Sequence, residues 1–158
     1  MATAFIGGAA GFAGDRTDAA GPLVEALAKC NGPRFLMFET LAERTLALAQ
    51  LERRRDPAKG FNPALARFVG PILRRCLDSK IKIVGNFGAA NPRAAAELIL
   101  RLATEQGIPE PRVAVVEGDD LTGILSLADL ARSEIEGRVL ANANDVISAN
   151  AYLGARSI

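Results

Sequence analysis

Acids, amides and arginines recur at one kind of place in this sequence, just after a short apolar run. Asp15 and Arg16 follow Ala4–Gly7, within GGAAGFAGDRTD. Glu39 and Thr40 follow Arg34–Phe38. Asn86, Gly88, Asn91 and Arg93 follow Ile81–Gly85. Glu117, Asp119 and Asp120 follow Arg112–Val116, and Asn150 follows Asp145–Ala149. Carboxylates can take and return protons, so Asp15, Glu39, Glu117 and Asp119 are the acid–base candidates. Arg16, Asn86, Asn91, Arg93 and Asn150 can hold carboxylate, carbonyl or phosphate oxygens. Gly88 lets a ligand approach the backbone. There is no histidine, so a catalytic triad or Cys–His pair of the usual kind is ruled out. Proton transfer here must use Asp, Glu, Lys, Tyr, Cys or a neighbouring chain.

Each of these residues also has a plain structural role. Thr40 and Glu43 have the T-x-x-E spacing of a capping box. Asp119 or Asp120 can cap a helix, and Asn91-Pro92 is a helix start. Phe61-Asn62-Pro63 opens another helix in the same way with no polar cluster around it, so Asn-Pro alone signals nothing about function. The stretch GNFGAANPR adds two glycines, Asn86 and Arg93 to its cap. Free N–H groups and the dipole at a helix start favour an anion. Arg93, at the second helical position, opposes that dipole unless an anion or carboxylate lies nearby.

The elements that carry these residues alternate. The five apolar runs read as strands buried on both faces, as in a parallel sheet. Helical patterns lie between them at Pro22–Cys30, Leu41–Arg55, Pro63–Ser79, Pro92–Gln106 and Asp120–Arg132. Arg53, Arg54 and Arg55 stand in the last turn of the second, where positive charge complements the dipole. Gly107 is a natural stop for the fourth, and Gly123 weakens the fifth. The alternation predicts an α/β domain with a parallel sheet, Rossmann-like, with part of a β/α barrel as the alternative. In either, ligands bind beyond the carboxyl ends of the strands, where the acids and amides gather.

The chain has 158 residues, 49% hydrophobic and 23% charged, with a net charge of +1. That suits one folded domain over residues 1–158, advertises no nucleic-acid surface, and includes no apolar stretch of membrane-spanning length. The apolar start lacks a basic n-region and reads as a first strand, so the expected location is cytoplasmic. Cys30 and Cys76 read as small core residues, and two cysteines without histidine do not make a zinc site. GGAAGFAG does not fit G-x-G-x-x-G and no P-loop occurs, so no nucleotide cofactor is indicated. The cofactor is unknown and no metal is expected.

GFAGDR, FETLAERTLALAQL, NFGAANPRAAAE, VAVVEGDDL and SANAYLGA, in this order, resemble the amino-terminal part of the acyclic terpene utilisation family, the AtuA-like proteins. The resemblance implies a cytoplasmic protein of citronellol and geraniol catabolism, which runs through branched acyl-CoA thioesters. It supplies no catalytic residue. Family members continue past SANAYLGA, so the chain is expected to be the amino-terminal fragment of a longer member. Three functions follow as expectations: an enzyme domain acting on an acyl-CoA or its acid by lyase or hydratase chemistry, a non-catalytic binding or assembly module, or an inactive truncated relic. Val146–Ile158 reads as a strand and turn without a following helix. The uncovered surface this leaves predicts a homo-oligomer or association with the rest of a longer chain.

Overall fold

The computed structural model describes residues 3–122, 124–126, 129, 132, 134–135, 138–139, 146–156 and 158. In chain order the elements are β1 (Phe5–Gly11), α1 (Ala20–Ala28), β2 (Arg34–Glu39), α2 (Glu43–Arg55), α3 (Leu65–Val69), α4 (Leu73–Asp78), β3 (Ile81–Gly85), α5 (Pro92–Glu105), β4 (Glu134–Ile135) and β5 (Arg138–Val139). Strands β1, β2 and β3 form one sheet in that order, all parallel, and β4 and β5 form a separate antiparallel pair. The expected parallel sheet with alternating helices is present. No closed barrel forms among the described residues.

Side chains alternate across the sheet as the strand geometry requires. Leu36, Phe38 and Ile81 are buried under the helices, with Gly7 and Ala9 beside them. A Cβ on Gly7 would stand 3.3 Å from Leu27 Cδ1, so its bareness lets α1 lie close to the sheet. Phe38, Phe68 and Phe87 join below the carboxyl ends of β2 and β3, with ring centroids 5.0 Å apart for Phe38–Phe87 and 5.7 Å for Phe38–Phe68. The opposite face is open: Ile6 is 69% exposed and Met37 39%.

Helix ends follow their local chemistry. Asn91 caps α5 and Pro92 opens it. At its other end Gly107, at φ +60°, closes a Schellman turn, with Ile108 N–H donating to Ala103 O at 2.8 Å and Gly107 N–H to Thr104 O at 3.0 Å.

Four expectations need correction. The helix over Pro63–Ser79 is two helices, α3 and α4, broken at Gly70-Pro71, because a proline lacks the amide donor that would continue the helical ladder. Arg112–Val116 is not a sheet strand. It stays largely exposed, Pro109 and Pro111 remove amide donors ahead of it, and side chains rather than a ladder fasten its far end. Of Asp145–Ala149, residue 145 lies outside the described residues and 146–149 pair with no strand; Asn150 instead bridges Asp120 antiparallel. The helix expected over Asp120–Arg132 falls partly outside the described residues, and 120–122 and 124–126 are not helical. No helix among the described residues is long and apolar enough to cross a membrane.

Candidate functional site

The turn between β3 and α5 is built inward. Gly85 leaves space for the Phe87 ring, since a Cβ there would stand 2.5 Å from Phe87 Cε2. Phe87 is buried in the aromatic cluster. Gly88 makes room for Pro92, whose Cβ would lie 2.5 Å from an added Cβ. The bareness at both positions is used within the chain. Asn91 is 9% exposed, and its bonds are internal too: Oδ1 accepts from Ala94 N–H at 3.3 Å, and Nδ2 donates to Pro57 O and Lys59 O at 2.8 Å each.

Asn86 has a different neighbourhood. Its Nδ2 donates to Glu39 Oε1 at 2.9 Å, and its Oδ1 accepts from Thr40 N–H at 2.7 Å and from the Thr40 hydroxyl at 3.3 Å. The carboxyl ends of β2 and β3 are thus tied together. Leu41 N–H also donates to Glu39 Oε1 at 2.9 Å, so one oxygen of this exposed carboxylate is fixed and Oε2 has no partner among the described residues. Thr40 is therefore no helix cap. It is drawn into the strand ends and buried, α2 starts three residues later, and Thr45 performs the capping by accepting from Ala42 N–H at 2.8 Å.

Arg93, in the first turn of α5, is offset by an acid. Its Nε and Nη2 donate to both oxygens of Glu117, at 3.1 and 2.5 Å. Asp119 lies two residues on, and its Oδ2 accepts from Asn150 Nδ2 at 2.9 Å. Ala151 N–H donates to Asp119 O and Leu121 N–H to Ala149 O, at 2.8 Å each. Asn150 Oδ1 is buried and has no hydrogen-bond partner among the described residues. The structure therefore gathers Arg93 with Glu117, Asp119 with Asn150, and Glu39 with Asn86.

Asp15 and Arg16 stay local in the loop after β1. Asp15 Oδ2 accepts from Gly11 N–H at 2.8 Å, and Arg16 pairs with Asp18, whose carboxyl it holds down at about 2 through a direct hydrogen bond.

Sequence reasoning did not single out Gln50, and it gave Arg53 and Arg54 only a dipole role. Gln50, 6% exposed on α2, donates to Asp120 Oδ2 at 2.9 Å. Arg53 reaches Ala90 O at 2.6 Å and stands 3.8 Å from Asp120. Arg54 donates to Ile147 O at 2.8 Å and Val146 O at 3.2 Å. Burial pushes the Asp120 carboxyl up, but bonds from Thr122 and Gln50, with Arg53 nearby, outweigh it and hold the group below its ordinary range. The signal available was the one-sided spacing of Gln50, Arg53 and Arg54 on α2. An open cavity of about 450 Å³ lies between them and Thr122; Gln50 and Thr122 on its wall are bonded to Asp120, while Arg53 and Arg54 spend their hydrogen bonds on backbone carbonyls. Tyr152, 95% exposed, donates its hydroxyl to Glu43 at 3.1 Å, which raises the phenol; the Glu43 carboxyl is lowered first by its own backbone amide and then by this bond.

Among the described residues no group of three or more Asp, Glu or Cys side chains could hold a metal ion. Cys76 is buried, which pushes its thiol up to about 11 and leaves it inert, while Cys30 is half-buried past the end of α1.

No curated protein and no solved structure matches the chain. A family model described as "Acyclic terpene utilisation family protein AtuA" matches residues 4–158. That is nearly the whole chain and includes every strand end described above, and the chain therefore belongs to the acyclic terpene utilisation family AtuA.

Proposed function

We propose that this chain supplies the amino-terminal site of a cytoplasmic enzyme of citronellol, geraniol or branched acyl-CoA catabolism, acting on an acyl-CoA or its free acid by lyase or hydratase chemistry. One observation carries the reading: at the start of α5, Arg93 already holds a carboxylate in the two-pronged geometry that a substrate acid or phosphate would adopt, with a second acid two residues away. A substrate anion takes the place of Glu117 on the guanidinium. Asp119, anchored through Oδ2 by Asn150, keeps Oδ1 without a partner among the described residues. It takes the proton α to the carbonyl as the β-carbon–oxygen bond breaks and the hydroxyl leaves as water, protonated by the Glu117 carboxyl that the substrate has displaced from Arg93; addition runs the same steps in reverse. Asn150 Oδ1, buried without a hydrogen-bond partner among the described residues, adds an acceptor left over beside Asp119.

Titration calorimetry with a ten-carbon branched acyl-CoA and with the free acid tests this. Arg93→Ala should weaken binding by about 1.5–3 kcal/mol, the worth of a charged hydrogen bond, or roughly ten- to a hundredfold. The melting temperature should barely move, because an exposed ion pair contributes about 0–1 kcal/mol. Asp119→Asn should keep binding and lose turnover. Binding without turnover in the parent chain would favour a non-catalytic module. Affinity unchanged by Arg93→Ala would remove the anion site altogether.

A further inference from the structure

Among the described residues the sheet is covered on one side only. All-parallel sheets are nearly always covered on both faces, yet here Ile6 is 69% exposed and Met37 39%. Strand alternation places Ile6, Phe35, Met37 and Val84 on this open face. Lys82 is there too, its Nζ 5.7 Å from the Phe35 ring centroid. Glu39 ends the Phe35–Met37–Glu39 row on β2.

We propose that a second copy of this chain occupies this face, packed sheet on sheet about a two-fold axis that crosses β2 at Met37. The argument is charge complementarity. Phe35 and Lys82 are register partners on adjacent strands, and Glu39 lies as far beyond Met37 as Phe35 lies before it. Rotation about an axis perpendicular to the strands reverses the second sheet and lays β2 over β2. Glu39 of each copy then stands over the Phe35–Lys82 pair of the other. Met37 meets its own counterpart at the centre, and the Glu39–Lys82 contact occurs twice. Sheets pack about 10 Å apart, within reach of both long side chains. Other relations between the copies, with strands running the same way, bring Lys82 over β1 and leave Glu39 without a cation.

The patch is small. Three strands about 4.8 Å apart and about 17 Å long present a few hundred Å². A standard interface buries about 800 Å² per partner, so the dimer should be weak, with a dissociation constant in the micromolar range. The proposal is independent of the chemistry suggested for Arg93 and Asp119, which lie outside this face's central row.

Sedimentation equilibrium of the whole chain from about 1 to 200 μM, a range that brackets a micromolar equilibrium, is the test. A reversible monomer–dimer equilibrium is expected. Lys82→Glu and Glu39→Lys should each weaken it about tenfold or more by setting like charges together, and the double exchange should restore it to within about threefold. Met37→Lys, at an already exposed site, should abolish the dimer while circular dichroism shows the same fold. A monomer throughout, meaning that the face takes some other occupant, overturns the proposal. So does a double exchange no better than the single ones, or a dimer indifferent to Met37→Lys.

Discussion

Replacing Asn91 separates the structural use of the β3–α5 turn from any ligand use. The side chain is 9% exposed and does three things: Oδ1 caps α5 through Ala94 N–H, and Nδ2 holds Pro57 O and Lys59 O at 2.8 Å each. Alanine removes a cap worth about 1 kcal/mol. It also strands two carbonyls at about 1–3 kcal/mol each if no water reaches them. The 57–59 loop is exposed, so the low end applies, and the expected loss is about 2–4 kcal/mol. For a chain of this size that lowers the melting temperature by about 5–15 °C. Asn91→Asp sharpens the test. It keeps the cap and adds a charge that suits a helix start, but turns an oxygen towards the two carbonyls, so it should be no more stable than the alanine variant. Asn62 is the internal comparison: its Oδ1 accepts from Ala64 N–H at 2.8 Å, and its backbone tie to Phe87 O survives substitution. Asn62→Ala should cost only about 1 kcal/mol, the net worth of one hydrogen bond. Urea unfolding followed by circular dichroism, compared at constant m-value, reads all three. An Asn91→Asp chain as stable as the parent, or an Asn91→Ala loss no larger than that of Asn62→Ala, would refute the account of the clasp.

Gly88→Ala should destabilise by about 1–3 kcal/mol in the same assay, since the new Cβ meets Pro92 Cβ at 2.5 Å and its Cα at 2.6 Å and neither can swing away. Stability unchanged would mean the turn relaxes without cost. Asp120 should show in the pH dependence of the melt. Its folded pKa lies below the ordinary 3.8, so its contribution is present above about pH 4 and is lost as pH falls through the lower folded value. The parent chain should therefore lose more stability between pH 5 and 3 than Asp120→Asn does. Parallel pH profiles would show that the bonds from Thr122 and Gln50 do not hold the charge.

The strand–helix alternation was legible because short β-branched and aromatic runs such as Arg34–Phe38 and Ile81–Gly85 differ in period from the patterns between them, and both form strands at those bounds or within one residue. Asn91-Pro92 and Gly107 marked both ends of α5 because their backbone chemistry is local. What failed depends on partners distant in sequence. Arg112–Val116 has a strand's composition, but a ladder needs a neighbour that composition cannot name. Thr40 has the spacing of a cap, yet Asn86, 46 residues away, claims it. Gln50 reads as a polar helix position and is buried only because Asp120 comes to meet it, 70 residues on.

The same distinction sorts the amides. Asn62 and Asn91 both precede proline, and each turns its oxygen onto nearby backbone, Asn91 capping α5 and Asn62 closing the turn that leads into α3. A local bond of this kind is complete in itself, since acceptor and donor belong to one turn. Asn86 and Asn150 precede no proline and spend their Nδ2 on a carboxylate from another segment, Glu39 and Asp119. Each bond fixes one oxygen of an acid and orients the carboxylate without neutralising it, so the other oxygen keeps its capacity to accept a proton or a cation. Of the four amides, these two orient acids, and the uses proposed for those acids lie beyond the fold. One such acid ends the row on the open sheet face, where a second copy can supply the cation. The other lies two residues from the acid that Arg93 holds, where a substrate anion and a proton acceptor can be brought together.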